Sequence, residues 1–245
     1  MTGFEIRRPQ KEPPVSFPVE FTEKEKELFE YVRDNELSMT SNERLFATAM
    51  ACKYALERNI SGDFVECGVW RGGNSILAAG IFRAADASRK TYLYDTFEGM
   101  TEPTAVDRSV SDSSLAMDRF TLHQRESHND WCYASLDDVR NSFVKADLLN
   151  DNVRFIEGDV LKTLEREENL PEHISVLRLD TDWYESTKKE LEVLYPRLSV
   201  GGVLIIDDYG SWAGSKKAVD EYFEINGNRP FLQYTDRSAR IGVKS

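Results

Sequence analysis

The sequence predicts an α/β fold: a doubly wound sheet of seven strands, mostly parallel and closed by an antiparallel hairpin. Three observations predict it. From residue 63 onward, short apolar runs alternate with stretches at helical spacing, the pattern of a parallel sheet wound by crossover helices. The runs are continuous rather than alternating, as expected of strands covered on both faces. The chain closes with Phe231-Leu232-Gln233-Tyr234 and Ile241-Gly242-Val243, separated by the polar residues Thr235 to Ser238, a spacing that suits a hairpin.

Residues 1–21 read as an extended arm, because Pro9, Pro13, Pro14 and Pro18 prevent regular helix. Thr22-x-x-Glu25 is a capping-box signal, with Leu28, Phe29 and Val32 following at helical spacing. Thr40-x-x-Glu43 repeats the signal ahead of Leu45, Phe46, Ala49 and Met50. Residues 1–62 therefore form an arm with two helices, and residues 63–245 the main body of one globular unit. Strands are predicted at Phe64 to Cys67, Tyr92 to Tyr94, Val153 to Ile156, Ile174 to Leu179 and Val203 to Ile206. Helices are predicted near 73–87, 135–149, 186–198 and 214–226. Thr187-x-x-Glu190 caps the third, and Gly201-Gly202 stops it. The stretch 99–134 has no sustained period and is rich in serine and acids. A connection this long is a lid or binding loop, or a segment disordered in the free protein. The arm and its helices show no internal partner; covering a ligand or exchanging with a second copy in a homo-oligomer are the alternatives.

Composition narrows the function. With 31 Lys+Arg against 43 Asp+Glu the formal charge is −12, which disfavours a surface that tracks nucleic-acid phosphates. No apolar run approaches the ~20 residues of a membrane span, and the N-terminus lacks the apolar core of a secretory signal. Cys52, Cys67 and Cys132 are odd in number and lack CxxC spacing, which points to reduced thiols in a cytoplasmic protein. The expected partner is a small molecule.

Ligands of open α/β sheets bind beyond the carboxyl ends of the strands. Each of the five alternating strands ends there in a carboxylate. The first turn, Glu66-Cys67-Gly68-Val69-Trp70-Arg71-Gly72-Gly73, is glycine-rich without being GxGxxG. An acid directly before the glycines repels a pyrophosphate and suits a ligand with an amino group or sulfonium; the alternative is a satisfied acid at a helix N-terminus. Asp95, ending the second strand, is the expected ribose-binding acid. Asp180 and Asp182 lie two apart, so an extended backbone points both side chains the same way. With Asp207 and Asp208 on the neighbouring strand they form a cluster of carboxylates that calls for protons or a cation, and oxygen ligands select Mg²⁺, Ca²⁺ or Mn²⁺. The alternative is that they cap helices or pair with Arg178 or Lys216. The aromatics Trp70, Phe97, Trp183, Tyr184, Tyr209 and Trp212 fall beside these tips, to stack on a ligand or to pack beneath loops.

Four motifs in order, Val65 to Gly73, Tyr94 to Met100, Leu179 to Thr187 and Asp207-Asp208-Tyr209, resemble the macrocin O-methyltransferase family over roughly residues 38–244. The resemblance implies a class I, Rossmann-like methyltransferase fold using S-adenosylmethionine and Mg²⁺ to methylate sugar hydroxyls in antibiotic biosynthesis. It implies that Glu66, Gly68, Trp70 and Gly72 hold the methionine end of the cofactor. Asp95, with Thr96 and Phe97, would hold the ribose, and Gly158 and Asp159 would flank the adenine. Asp180, Asp207 and Asp208 match the metal-ligand positions, with Asp180 also beside the cofactor. Asp180 and Asp182 are the candidate bases, and His123 and His128 alternative ones. Two rival functions stand beside this one: an oxidoreductase acting with NAD or on a nucleotide sugar, which Asp95 alone would fit, and a methyltransferase fold retained as a non-catalytic binding module.

Overall fold

The computed structural model describes residues 15–245. The strands form one sheet in the order β3-β2-β1-β4-β5-β7-β6. Their ranges are β1 Asp63–Cys67, β2 Thr91–Asp95, β3 Val153–Glu157, β4 Ile174–Leu179, β5 Leu198–Ile206, β6 Gln233–Tyr234 and β7 Arg240–Val243. Strands β1 to β5 pair in parallel, while β7 runs antiparallel to β5 and to β6. The predicted fold class is the observed one. The helices are α1 Glu23–Asp34, α2 Asn42–Glu57, α3 Gly73–Ala84, α4 Ala116–His123, α5 Leu136–Lys145, α6 Val160–Thr163, α7 Tyr184–Leu194 and α8 Ala213–Asn226.

Period-two alternation sorts each strand between two apolar layers. Phe64, Val176, Val203 and Ile205 face a layer completed by α1, α2, α3 and α5. Val65, Cys67, Leu177, Leu179, Leu204 and Ile206 face the other, completed by α6, α7 and α8. Glu66 and Arg178 carry the parity of the first face, so two charged side chains enter the sheet beneath the N-terminal helices. The prolines Pro9, Pro13 and Pro14 of the predicted arm lie outside the described residues. From Val15 on, Phe17 and Phe21 pack edge-on against Phe29, which stacks on Phe46 with centroids 4.4 Å apart. The N-terminal helices therefore do have an internal partner: α1 and α2 lie on α3.

Three local expectations are corrected. The second capping signal acts one residue later, from Ser41, whose side chain accepts from the Arg44 N–H. Thr187 and Glu190 are buried inside α7 and do not cap it; Trp183 occupies the N-cap position, without a side-chain cap. Gly201 and Gly202 lie within β5, and a short 3₁₀ turn at Tyr195–Arg197 ends the helix instead.

The irregular segment 99–134 carries α4 and is tied to the sheet's carboxyl edge. Asp107, fully buried, accepts from the Tyr184 N–H at 2.8 Å and from the backbone and hydroxyl of Thr104 at 2.7 and 2.9 Å. A residue far away in sequence thus caps α7, where the local sequence supplies no cap. Trp131, Trp183 and Trp212 form a cluster with centroids 5.0 to 5.9 Å apart, and the Trp183 indole donates to the Thr101 carbonyl at 2.9 Å. Gly214 makes room for this anchor, since a Cβ there would lie 1.9 Å from Asp107 Oδ1. Gly214→Ala is expected to lower stability by roughly 1–3 kcal/mol in urea unfolding, although alanine is the better helix former. An unchanged midpoint would show that the Asp107 anchor carries no such constraint.

Candidate active site

The strand tips enclose a cavity of about 220 Å³, lined by Gly68, Trp70, Asp95, Thr96, Gly158 and the acids Asp180, Asp182, Asp207 and Asp208. Met39 and Thr40 line it from the connection between α1 and α2, Arg44 from α2, and Met100, Thr101 and Cys132 from the 99–134 segment. Gly68, Trp70 and Gly72 all have positive φ, which turns the chain sharply between β1 and α3. Gly68 must be glycine, because a Cβ would meet the Asp180 carbonyl oxygen at 1.9 Å. Asp95 pins this turn: one carboxylate oxygen accepts from the Val69 and Trp70 N–H groups at 2.6 and 3.1 Å, the other from Phe97 N–H at 2.8 Å. Burial pushes the Asp95 carboxyl upward against the pull of those N–H groups.

Beneath the cavity lies Arg178, in the middle of the sheet and fully buried. It donates to Glu66 at 2.7 Å, to Asp180 at 2.6 Å and, through its other terminal nitrogen, to Asp207. Burial opposes its charge, but the carboxylates of Asp180, Asp207 and Glu66 hold the guanidinium firmly protonated. Arg44 donates to the second oxygen of Asp207 and at 2.7 Å to Asp236. Asp180 and Asp207 thus do pair with Arg178, while Lys216 bonds Asp220 on its own helix.

Arginine pairing leaves much of the negative charge unanswered. One carboxylate oxygen from each of Asp180, Asp207 and Asp208 lies within 4.8 Å of the others. Among the described residues, no backbone or basic side-chain donor bonds the buried Oδ2 of Asp208. Desolvation pushes the Asp180 and Asp208 carboxyls well up, reinforced by neighbouring acids. Asp182, within hydrogen-bonding reach of Asp208, is pushed up to about 7 by burial and by Asp180 and Asp207. Burial likewise lifts Glu66 to about 7. An all-oxygen donor set with a bare buried acceptor fits a hard divalent cation.

The structure separates the expected site residues into two groups. Gly68, Trp70, Asp95, Thr96, Gly158 and the four aspartates line the cavity. Glu66 lies behind its wall, one oxygen on the Ser75 hydroxyl and the other on Arg178. Gly72 and Phe97 are also outside the lining, and Asp159 caps α6 at the edge of an adjoining cleft. Asp180 and Asp182 do not share an extended strand: β4 ends at Leu179 and Asp182 is left-handed, φ 67°. Both reach the cavity through a turn. His128 borders the adjoining cleft, and His123 pairs with Asp130 at 2.6 Å away from the cavity. Of the aromatics, Trp70 lines the cavity, whereas Trp183 and Trp212 pack with Trp131. Arg44 and Cys132 went unread in the sequence. Neither sits in a motif, and only the packing of α2 and of the 99–134 segment brings them to the site.

The macrocin-O-methyltransferase (TylF) family matches the chain over residues 10–239. The chain belongs to that family. It is an O-methyltransferase, and the family implies S-adenosylmethionine as its methyl donor; the oxidoreductase and non-catalytic readings fall. A Streptomyces olivaceus protein, 8-demethyl-8-(2,3-dimethoxy-alpha-L-rhamnosyl)-tetracenomycin-C 4'-O-methyltransferase, is 38% identical over 215 residues, 83% of this chain and 77% of its own. The demethyldecarbamoylnovobiocin O-methyltransferase of Streptomyces niveus is 39% identical, over 77% and 68%. The solved O-methyltransferase NovP superposes with a TM-score of 0.73 at 35% identity, covering 85% of this chain and 82% of that one. The calicheamicin methyltransferase CalS11, at 16% identity and a TM-score of 0.64 over 94% of each chain, shares the fold. Among the described residues, no helix is long and apolar enough to cross a membrane.

Two outcomes follow from these electrostatics. Arg178→Met strands three carboxyl groups in the sheet, and we expect a loss of ~3–5 kcal/mol in urea unfolding. A loss below 1 kcal/mol would show that the acids need no cation. Asp236 is held at about 2, because the Ala239 N–H, Arg44, Ser41 and the Ser238 N–H outweigh its burial. A depressed folded pKa gives stability that is present above about 4 and lost as pH falls toward 2. Asp236→Asn should lose that part of the acid dependence in thermal melts between pH 2 and 5; an unaltered pH profile would refute it.

Proposed function

We propose that this enzyme methylates a sugar hydroxyl of a glycosylated natural product, with a divalent cation, Mg²⁺, held by Asp180, Asp207 and Asp208. The observation that carries the reading is the convergence of those three carboxylates in the cavity that Gly68, Trp70 and Asp95 also line. The rhamnosyl group in the name of the Streptomyces olivaceus relative supports the sugar acceptor.

In this reading the chain supplies alignment, charge and a base. The pinned glycine turn and Trp70 seat the methionine end of the donor, and Asp95 lines the cavity where the ribose would lie, with Thr96 and Phe97 shaping that turn. Gly158 and Asp159 flank the adenine. Glu66 acts at one remove, fixing Arg178 and through it Asp180 and Asp207. When bound, S-adenosylmethionine would supply an already activated methyl group, and a Mg²⁺ ion held by Asp180, Asp207 and Asp208 would supply Lewis-acid polarisation. Asp182 takes the acceptor proton: it lines the cavity, forms no salt bridge among the described residues, and burial holds it near 7, where a base is most effective at neutral pH. Asp180, committed to Arg178, is the weaker candidate.

Transfer of labelled methyl from S-adenosylmethionine to a panel of glycosylated acceptors and their aglycones tests this. Transfer to glycosides with Mg²⁺ and its loss in excess EDTA are expected. Full turnover with metal shown absent would overturn the metal assignment, and transfer to aglycones alone would overturn the sugar. Asp182→Asn should lower kcat by ~10²–10⁴-fold while adenosylhomocysteine binds as before by calorimetry. Unchanged kcat would remove Asp182 as the base.

A further inference from the structure

Arg44 holds a position that the methyl-transfer reading does not use. It stands in the first turn of α2, and its guanidinium bridges two acids from distant parts of the chain. Nε donates to Asp236 Oδ2 at 2.7 Å, and a terminal nitrogen donates to Asp207 Oδ2. Asp236 is itself firmly placed: it accepts from the Ser41 hydroxyl at 2.9 Å and from the Ser238 and Ala239 N–H groups, each at 2.8 Å. The Nε end is therefore a fixed tether, while the terminal nitrogen lies on a carboxylate of the proposed cation triad. Asp207 carries guanidinium on both oxygens, Arg178 on one and Arg44 on the other.

The two arginines are not equivalent. Arg178 is fully buried and held by three acids, so it cannot leave without stranding them. The Arg44 side chain is 18% exposed and borders the cavity. It can swing off Asp207 and keep Asp236. A divalent ion sharing Asp207 with Asp180 and Asp208 meets the positive charge of Arg44 on the same carboxylate. At contact distances two cations on one carboxylate repel by more than thermal energy.

We propose that Arg44 is a displaceable counter-cation that competes with the divalent ion for Asp207. This rests on the metal reading above. Arg44 is a positioning residue: it sets how readily Asp207 is available to a cation.

Direct binding of Mn²⁺ alone, followed by electron paramagnetic resonance and calorimetry, separates this proposal from the metal reading. The intact protein, Arg44→Met and Arg44→Lys are compared, with Asp208→Asn as the triad control. The expected result is Mn²⁺ binding to the intact protein that Asp208→Asn abolishes. Arg44→Met should bind Mn²⁺ about tenfold more tightly or better. Arg44→Lys, which keeps the charge but cannot hold Asp207 and Asp236 together, should fall between. Equal or weaker binding by a folded Arg44→Met protein overturns the competition and leaves the metal site standing. Absence of binding by the intact protein and by Arg44→Met up to millimolar Mn²⁺ overturns both. If Arg44→Met does not fold, nitrogen-detected guanidinium resonances of the intact protein replace it: Mg²⁺ must then shift the Arg44 signals, and unshifted signals at saturation overturn the proposal.

Discussion

A guanidinium sealed inside a parallel sheet is the constraint on which the rest of this molecule depends. Arg178 has no contact with water, and a bare charge in that position would cost far more than the fold's net stability. Carboxylates from three strands meet it: Glu66 on β1, Asp180 just past β4 and Asp207 just past β5. Its planar fork sets donors on two separate terminal nitrogens in a fixed geometry, where a lysine ammonium gathers its donors on one. The strand ends are therefore held in one register by charge as well as by the ladder. The cavity above it is lined by Asp180 and Asp207 together with Asp182 and Asp208, so four acids share one small space.

Topology explains why the chemistry gathers there. The chain runs outward from β1 through β2 to β3, then crosses back to β4 on the other side of β1. The loops after β1 and β4 consequently diverge and leave a crevice between them, the usual ligand site of open α/β sheets. Asp95 and Gly68 close one side of it and the acid cluster the other. The segment 99–134 completes the wall because Asp107 caps α7 and the tryptophan cluster seats it against α7 and α8. The same contacts thus stabilise a helix and bring Cys132, Met100 and Thr101 to the cavity.

Local signals were read correctly where one residue and its near neighbours decide the outcome. Thr22 and Glu25 form the capping box that their spacing announces. The continuous apolar runs became strands buried on both faces. Errors arose where a local motif was outvoted by packing. Thr187-x-x-Glu190 has the spacing of a capping box, but both residues are buried in α7, with Glu190 accepting from Thr181. Gly201-Gly202 resembles a helix stop, yet β5 needs its full length to pair with β4 and β7. Glu66 was expected to face the ligand; the parity of β1 turns it inward toward Arg178.

By itself the sequence determined the layer architecture, the closing hairpin, the acids at the tips of the five alternating strands and the family, because each follows from short-range periodicity or from a contiguous motif. Only the tertiary structure decided which acids gather within reach of one another, which ones face the cavity, and that Arg44 and Asp107 take part at all. Those outcomes depend on distances between residues many turns apart in the chain, and such distances are set by how helices settle on the sheet, not by any spacing along it.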